Sequence, residues 1–179
     1  MKTDNIERYL NSFGKYIVKQ SRTNLTKAKK NVNKDLYNSL KFSVQKDADG
    51  FTVNFYMANY GTFVDKGVSG NKKKQSYTDY EGKTKTSPYS YTTKQPPSKV
   101  LDKWIVRRGI APRDKGGRFI SRKSISFLIA RSIKVNGIKS TSFFQRPLQL
   151  GLKNFGKELL KNVKEDIMNT LNETQKTVN

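Results

Sequence analysis

The chain has 179 residues, with 36 Lys or Arg against 14 Asp or Glu, a formal net charge of +22. It contains no Cys and no His, which removes disulfides, thiolate chemistry, and the commonest general base and metal ligand together. Hydrophobic content of 34% is low for a folded protein, but ten Phe and nine Tyr argue against a disordered chain, and the length fits a single domain spanning 1–179.

A surplus of cations this large points to a polyanionic partner, either nucleic acid or an acidic protein surface. It is densest over 98–139, which holds 12 basic and 2 acidic residues. No apolar run reaches the roughly 18 residues of a membrane span, and the N-terminal stretch lacks the apolar core of a signal peptide. The expectation is a protein made and used in cytoplasm, with no membrane partner.

Residues 4–32 read as a helix. Asp4 is the expected N-cap, with Glu7 three places on, and Ile6, Leu10, Phe13 and Ile17 recur at helical spacing. The pattern thins over 21–26 and resumes at Leu25, Ala28 and Val32. The opposite face carries Lys15, Lys19, Lys27, Lys29 and Lys30, which solvation explains more simply than a binding stripe. The period then changes to two. Leu40, Phe42 and Val44, and again Phe51, Val53, Phe55 and Met57, alternate with polar residues around a Lys46–Gly50 loop, which predicts an antiparallel hairpin with one buried face.

Gly61 and Gly67 bracket a turn or one-turn helix in which Asp65 stands as an acid suited to capping or an ion pair. Residues 68–97 are poor in aliphatics and rich in Lys, Ser, Thr and Tyr. They predict a protruding loop or β-ribbon arm turning at Glu81-Gly82-Lys83, with Tyr77 and Tyr80 on one arm and Tyr89 and Tyr91 on the other. Such a ribbon has little apolar surface of its own and is expected to order only against a neighbour. Solvated loop, protein contact and nucleic-acid contact all remain open for it.

Pro96-Pro97 leads into a helix with Ser98 as N-cap, Val100, Leu101, Trp104 and Ile105 inward, and Gly109 as its stop. The basic Gly-rich loop 111–123 lacks the spacing of a phosphate-binding loop. Another helix is expected from Ser124, with Ile125, Leu128, Ile129 and Ile133 inward, ending at Asn136-Gly137. The corner Phe143–Leu148 then opens one last helix with Pro147 in its first turn. Its stripe runs through Leu148, Leu152, Phe155, Leu159, Val163, Ile167 and Leu171, and 172–179 is expected to fray. The fold class expected is α+β: a long N-terminal helix and a hairpin or small sheet, with two short helices and a C-terminal helix packed on it.

The order of these motifs resembles the small neck, tail-completion or head–tail connector proteins of tailed bacteriophages. The resemblance is carried by Tyr60–Gly67, by the Pro96–Ile110 Trp helix ending in Arg-Arg-Gly-Ile, and by Ile129–Ile133 with Gly137-Ile138. Phe143–Leu148 closes the series, which covers roughly 4–165. The 68–97 arm is longer and richer in Lys and Tyr than the family leads one to expect. The resemblance implies a non-enzymatic virion subunit at the head–tail junction, present in host cytoplasm during assembly. Six or twelve copies would form a ring between portal or adaptor and tail-tube or tail-terminator proteins, around a DNA channel.

The residues agree with a connector that needs no cofactor and no metal, because the acids are scattered where hydrolysis would need them clustered. Expected subunit or partner contacts are Tyr77, Tyr80, Tyr89, Tyr91, Phe143, Phe144 and Arg146, the last also a candidate partner for Asp65. Expected contacts to DNA or an acidic partner are Lys72, Lys73, Lys74, Arg113, Lys115 and Arg118. The alternative is a nucleic-acid-binding module without sequence preference, using the arm and the 111–123 loop.

Overall fold

Helix α1, Asp4–Lys27, runs through the middle of the protein, which is described over residues 3–178 in a computed structural model. Its buried side is Ile6, Leu10, Ile17, Val18 and Leu25, the apolar repeat legible in the sequence. Gly14 belongs to this side because the Phe42 ring lies over it: a Cβ there would sit 2.2 Å from a ring carbon. The expected Asp4 cap is corrected. Thr3 holds the cap position without a side-chain bond, and the amides of Asn5 and Ile6 donate instead to Asp166, at 3.1 and 3.0 Å. A carboxylate from the far end of the chain satisfies the orphan donors of the first helix.

The helix also ends earlier than the pattern suggests. Lys29 adopts a left-handed conformation, φ 54°, its amide donates to Thr26 O, and that of Lys30 donates to Leu25 O. This is the double bond of a Schellman ending, with Lys where Gly is usual. Val32 therefore lies past the helix, in the link to the short α2, Asp35–Ser39.

The hairpin is as expected, β1 (Lys41–Asp47) and β2 (Gly50–Tyr56), joined by Ala48-Asp49. Phe42 pairs with Phe55 and Val44 with Val53, so one face carries the apolar set toward α1. Helix α3, Gly61–Lys66, follows, then the two-residue strand β3, Val68–Ser69. The ribbon β4 (Ser76–Thr78) and β5 (Thr84–Thr86) comes next.

Helices α4 (Ser98–Arg107) and α5 (Arg122–Asn136) pack chiefly on each other. Pro97, not Ser98, precedes the first turn of α4, and Ser121, not Ser124, caps α5 through its hydroxyl. Gly109 ends α4 with the same double bond that ends α1, here at φ 63°. Strand β6, Gly137–Ile138, pairs antiparallel with β3.

The single last helix of the sequence reading is two, α6 (Gln145–Leu152) and α7 (Phe155–Val178), separated at Lys153-Asn154. Both pack on α1. Helix α7 extends through most of the 172–179 stretch expected to fray, and Asn179 lies outside the described residues. The architecture is α+β, with three separate two-stranded sheets instead of one.

One core cluster sits where α1, α2 and the 143–144 corner meet: Val18, Leu25, Leu36, Leu40 and Phe143, edged by Phe42, Phe55 and Phe144. Several side chains expected inside are not. Val100 is 70% exposed, Leu128 56% and Leu171 55%, because α4 and α5 pack chiefly on each other and α7 chiefly on α1, which leaves their other faces to solvent.

Replacing Lys29 by Gly removes a side chain from a left-handed position without touching the two backbone bonds. Chemical denaturation should find the Lys29→Gly protein more stable by about 0.5–1 kcal/mol. A loss of stability would mean that the Lys29 side chain, and not its backbone, holds this turn.

Candidate functional site

Three carboxylates are buried among the described residues: Asp65, Asp79 and Asp166. Each is committed to backbone amides. Asp166 receives those of Asn5 and Ile6, and also the Asn5 side chain at 2.9 Å. Asp79 Oδ1 accepts from Glu81 N and Lys83 N at 3.0 and 2.9 Å, which shapes the turn of the ribbon. Lys85 Nζ lies 2.6 Å from its other oxygen and holds the Asp79 carboxyl below the ordinary carboxylate range. Asp65 accepts from Phe144 N at 2.8 Å and Gln145 N at 3.4 Å. No group of three or more acidic residues able to hold a metal ion occurs among the described residues. What these acids do is cap helices and a turn.

The Asp65 corner joins two motifs singled out in the sequence. Besides its carboxylate, the Asp65 carbonyl accepts from Thr141 N and Ser142 N, and the Val64 carbonyl accepts from the Thr141 hydroxyl at 2.8 Å. Phe143 follows directly and is fully buried, so its expected role at a subunit interface is corrected to one in the chain's own core. Phe144 is half-buried, its ring 5.5 Å from that of Phe55. Arg146 is exposed, and the partners of Asp65 are backbone amides instead of its guanidinium. Burial pushes the Asp65 carboxyl above its ordinary value of 3.8, and the donors of Phe144 and Gln145 and the Lys66 charge offset this only in part.

The ribbon is present but tied to its own chain. Ser140 donates its hydroxyl to Ser76 O, Tyr80 N donates to Gln145 Oε1, and Ser87 donates to Gly67 O. The expectation that a neighbour is needed to order it is corrected by these bonds, which the sequence hides because every one closes a long loop. The tyrosines also separate. Tyr77 faces Lys66, 5.7 Å from ring to ammonium, and Tyr80 is exposed near the turn. The strand opposite Tyr77 is Thr84–Thr86, so Tyr89 and Tyr91 lie beyond the ribbon, where the chain runs beside Ser69. There they form a cup of about 700 Å³ with Tyr60, Phe63, Pro88 and Ile138. Phe63 and Tyr89 meet edge to face at 4.4 Å, and burial pushes the Tyr91 hydroxyl above its ordinary value.

Lys72, Lys73 and Lys74 are exposed on the turn after β3. Lys72 shares a cavity of about 310 Å³ with Arg131 and Lys134 of α5, two residues that the sequence did not single out. The 111–123 loop is a small hairpin closed by Arg113 and Phe119. Arg113 stacks 3.7 Å from the Phe119 ring and donates to Gly117 O, so it is the brace of that loop, while Lys115 and Arg118 are exposed. A second basic surface lies along α1, where Lys15, Lys19, Arg22 and Lys27 meet Lys41 of β1 around one groove. The α1 lysines were visible as a face in the sequence, but the strand lysine opposite them was not. No helix among the described residues is long and apolar enough to cross a membrane.

No family model, no curated protein and no solved structure matches this chain.

Two substitutions separate the charge of Asp65 from its hydrogen bonds. Asp65→Ala leaves two buried amides without an acceptor and should cost about 1–3 kcal/mol in denaturant unfolding. Asp65→Asn keeps an acceptor and removes the charge. Because the folded carboxyl binds its proton more tightly than the unfolded one, its contribution to stability falls as pH rises from 3.8 through the raised value, then levels. The stability of the parent minus that of Asp65→Asn should follow that fall; a difference rising with pH over the same window contradicts the assignment.

Proposed function

We propose that this chain is a structural subunit of a phage head–tail junction, assembling into a ring between portal or adaptor and tail components around a DNA channel. The observation that carries the assembling part is the uncovered apolar surface of α4, α5 and α7. Val100, Val106, Phe127 and Leu128 lie on the helical pair, and Leu160, Met168 and Leu171 on the last helix. Apolar surface left bare on the α4–α5 pair and again on α7 is what a subunit keeps for its neighbours. The virion part rests on the ordered motifs, two of which are joined at the Asp65 corner.

The charge supports the same reading. Copies carrying +22 each repel one another unless an anion lies among them or salt screens them, and DNA in a channel supplies the first. Lysines and arginines lining such a channel meet phosphates without reading sequence. Lys72, Arg131 and Lys134, gathered around one cavity, also favour the second reading, a nucleic-acid-binding module that works as a monomer.

Salt dependence separates the two. For a ring subunit, sedimentation should find association strengthened when salt rises from about 50 to about 500 mM, since screening weakens repulsion and leaves apolar contacts intact. Leu128→Asp should abolish association while thermal unfolding stays within about 0.5 kcal/mol of the parent. A chain that stays monomeric throughout, yet binds duplex DNA with an affinity falling steeply with salt, would support the module and contradict the ring.

A further inference from the structure

The groove along α1 has a composition that neither reading uses. It is an open cavity of about 980 Å³ whose walls are the exposed side of α1 and the Tyr37–Phe42 stretch. Lys15, Lys19, Arg22, Lys27 and Lys41 surround it, and no carboxylate lines it. Its floor is apolar, built from the half-buried Phe42 beside the buried Val18 and Leu40. From Lys15 to Lys27 the helix rises about 18 Å, three turns and a fraction.

Gathering these cations is unfavourable in the isolated chain. Lys15 and Lys19 stand one turn apart on the same helix face, a like-charge spacing that destabilises helices. Arg22 is held in place, donating Nε to Tyr37 O at 3.1 Å and Nη2 to Leu40 O at 2.9 Å, with its guanidinium 5.1 Å from the Tyr37 ring. One cation is thus fixed in the wall, and the lysines around it carry flexible stems that can meet a partner's charges.

We propose that this groove is a docking site for an acidic amphipathic segment of another protein, a short helix of about three turns. Its apolar side chains would lie chiefly on Phe42, over the buried Val18 and Leu40, and its carboxylates would meet Lys15, Lys19, Lys27 and Lys41. Charge complementarity selects this occupant. A second copy brings the same positive surplus to a surface that is already positive. A nucleic-acid strand needs free ring faces for its bases, and here the Tyr37 face holds Arg22 while Phe42 packs over Gly14. Phosphates gain nothing from an apolar floor, whereas an amphipathic helix uses both the floor and the rim. The site stands whether or not copies of the chain associate through other faces.

The probe is a labelled peptide of about 14 residues with Leu at i, i+3, i+4 and i+7 and Glu at most other positions. It is compared with a scramble of the same composition and with a single-stranded oligo-dT. Fluorescence anisotropy on the full chain should find the patterned peptide bound at least about tenfold more tightly than the scramble. The double variant Lys19→Glu, Lys41→Glu should lose about tenfold or more, and a charge-matched control, Lys139→Glu with Lys153→Glu, at most about threefold. All four positions are exposed, and thermal unfolding checks that each variant folds. Equal binding of peptide and scramble, no binding of the patterned peptide, or indifference to the groove variant would each overturn the proposal. So would tighter binding of oligo-dT that the same groove variant abolishes, which would make the groove a nucleic-acid site.

Discussion

The contact between the Asp65 carboxylate and the amides of Phe144 and Gln145 is the constraint on which most of the fold hangs. It fixes the start of α6 against the end of α3, and so places Phe143 in the core and lays α6 along α1. The β3–β6 pairing and the bonds from Ser140 and Gln145 to the ribbon lie within reach of the same corner. Burying a carboxylate costs free energy, as the raised Asp65 value records, and only hydrogen bonds of good geometry offset it. Asp166 repeats the device at the other end of the molecule, where α7 supplies the cap for α1. Two helices therefore begin correctly only once distant parts of the chain have arrived.

This explains which parts of the structure were legible in the sequence. The β1–β2 hairpin is written in alternation and a nearby turn, both local, and it appears where expected. The end of α4 is written in Gly109. The end of α1 uses the same backbone bonds at Lys29, and no propensity marks a Lys for a left-handed position. The caps of α1 and α6 could not be read, because each is a single Asp 160 and 79 positions away from the amide it serves. Leu128 and Val100 fit helical spacing and were assigned inward, but spacing gives a face and not a partner, and here nothing covers that face.

The candidate surfaces divide in the same way. The positive surplus and its concentration in the middle of the chain were visible as composition. Grouping was not: Lys41 joins the α1 lysines, Arg131 and Lys134 join Lys72, and Tyr60 and Phe63 join Tyr89 and Tyr91 only through tertiary packing. The sequence contains no His and no Cys, and each of the three buried carboxylates among the described residues is engaged by backbone amides. The proposed role as an architectural subunit draws on shape, apolar contact and charge alone.

That account turns on closure. Heterologous contacts between identical subunits either close into a ring or run on into a filament, and the geometry of one repeated interface decides which. Electron microscopy of the purified chain, applied with and without short duplex DNA, reads this directly. The account predicts closed rings of uniform size with a central opening wide enough for a duplex. Solitary particles under every condition, or open filaments without closure, would contradict it.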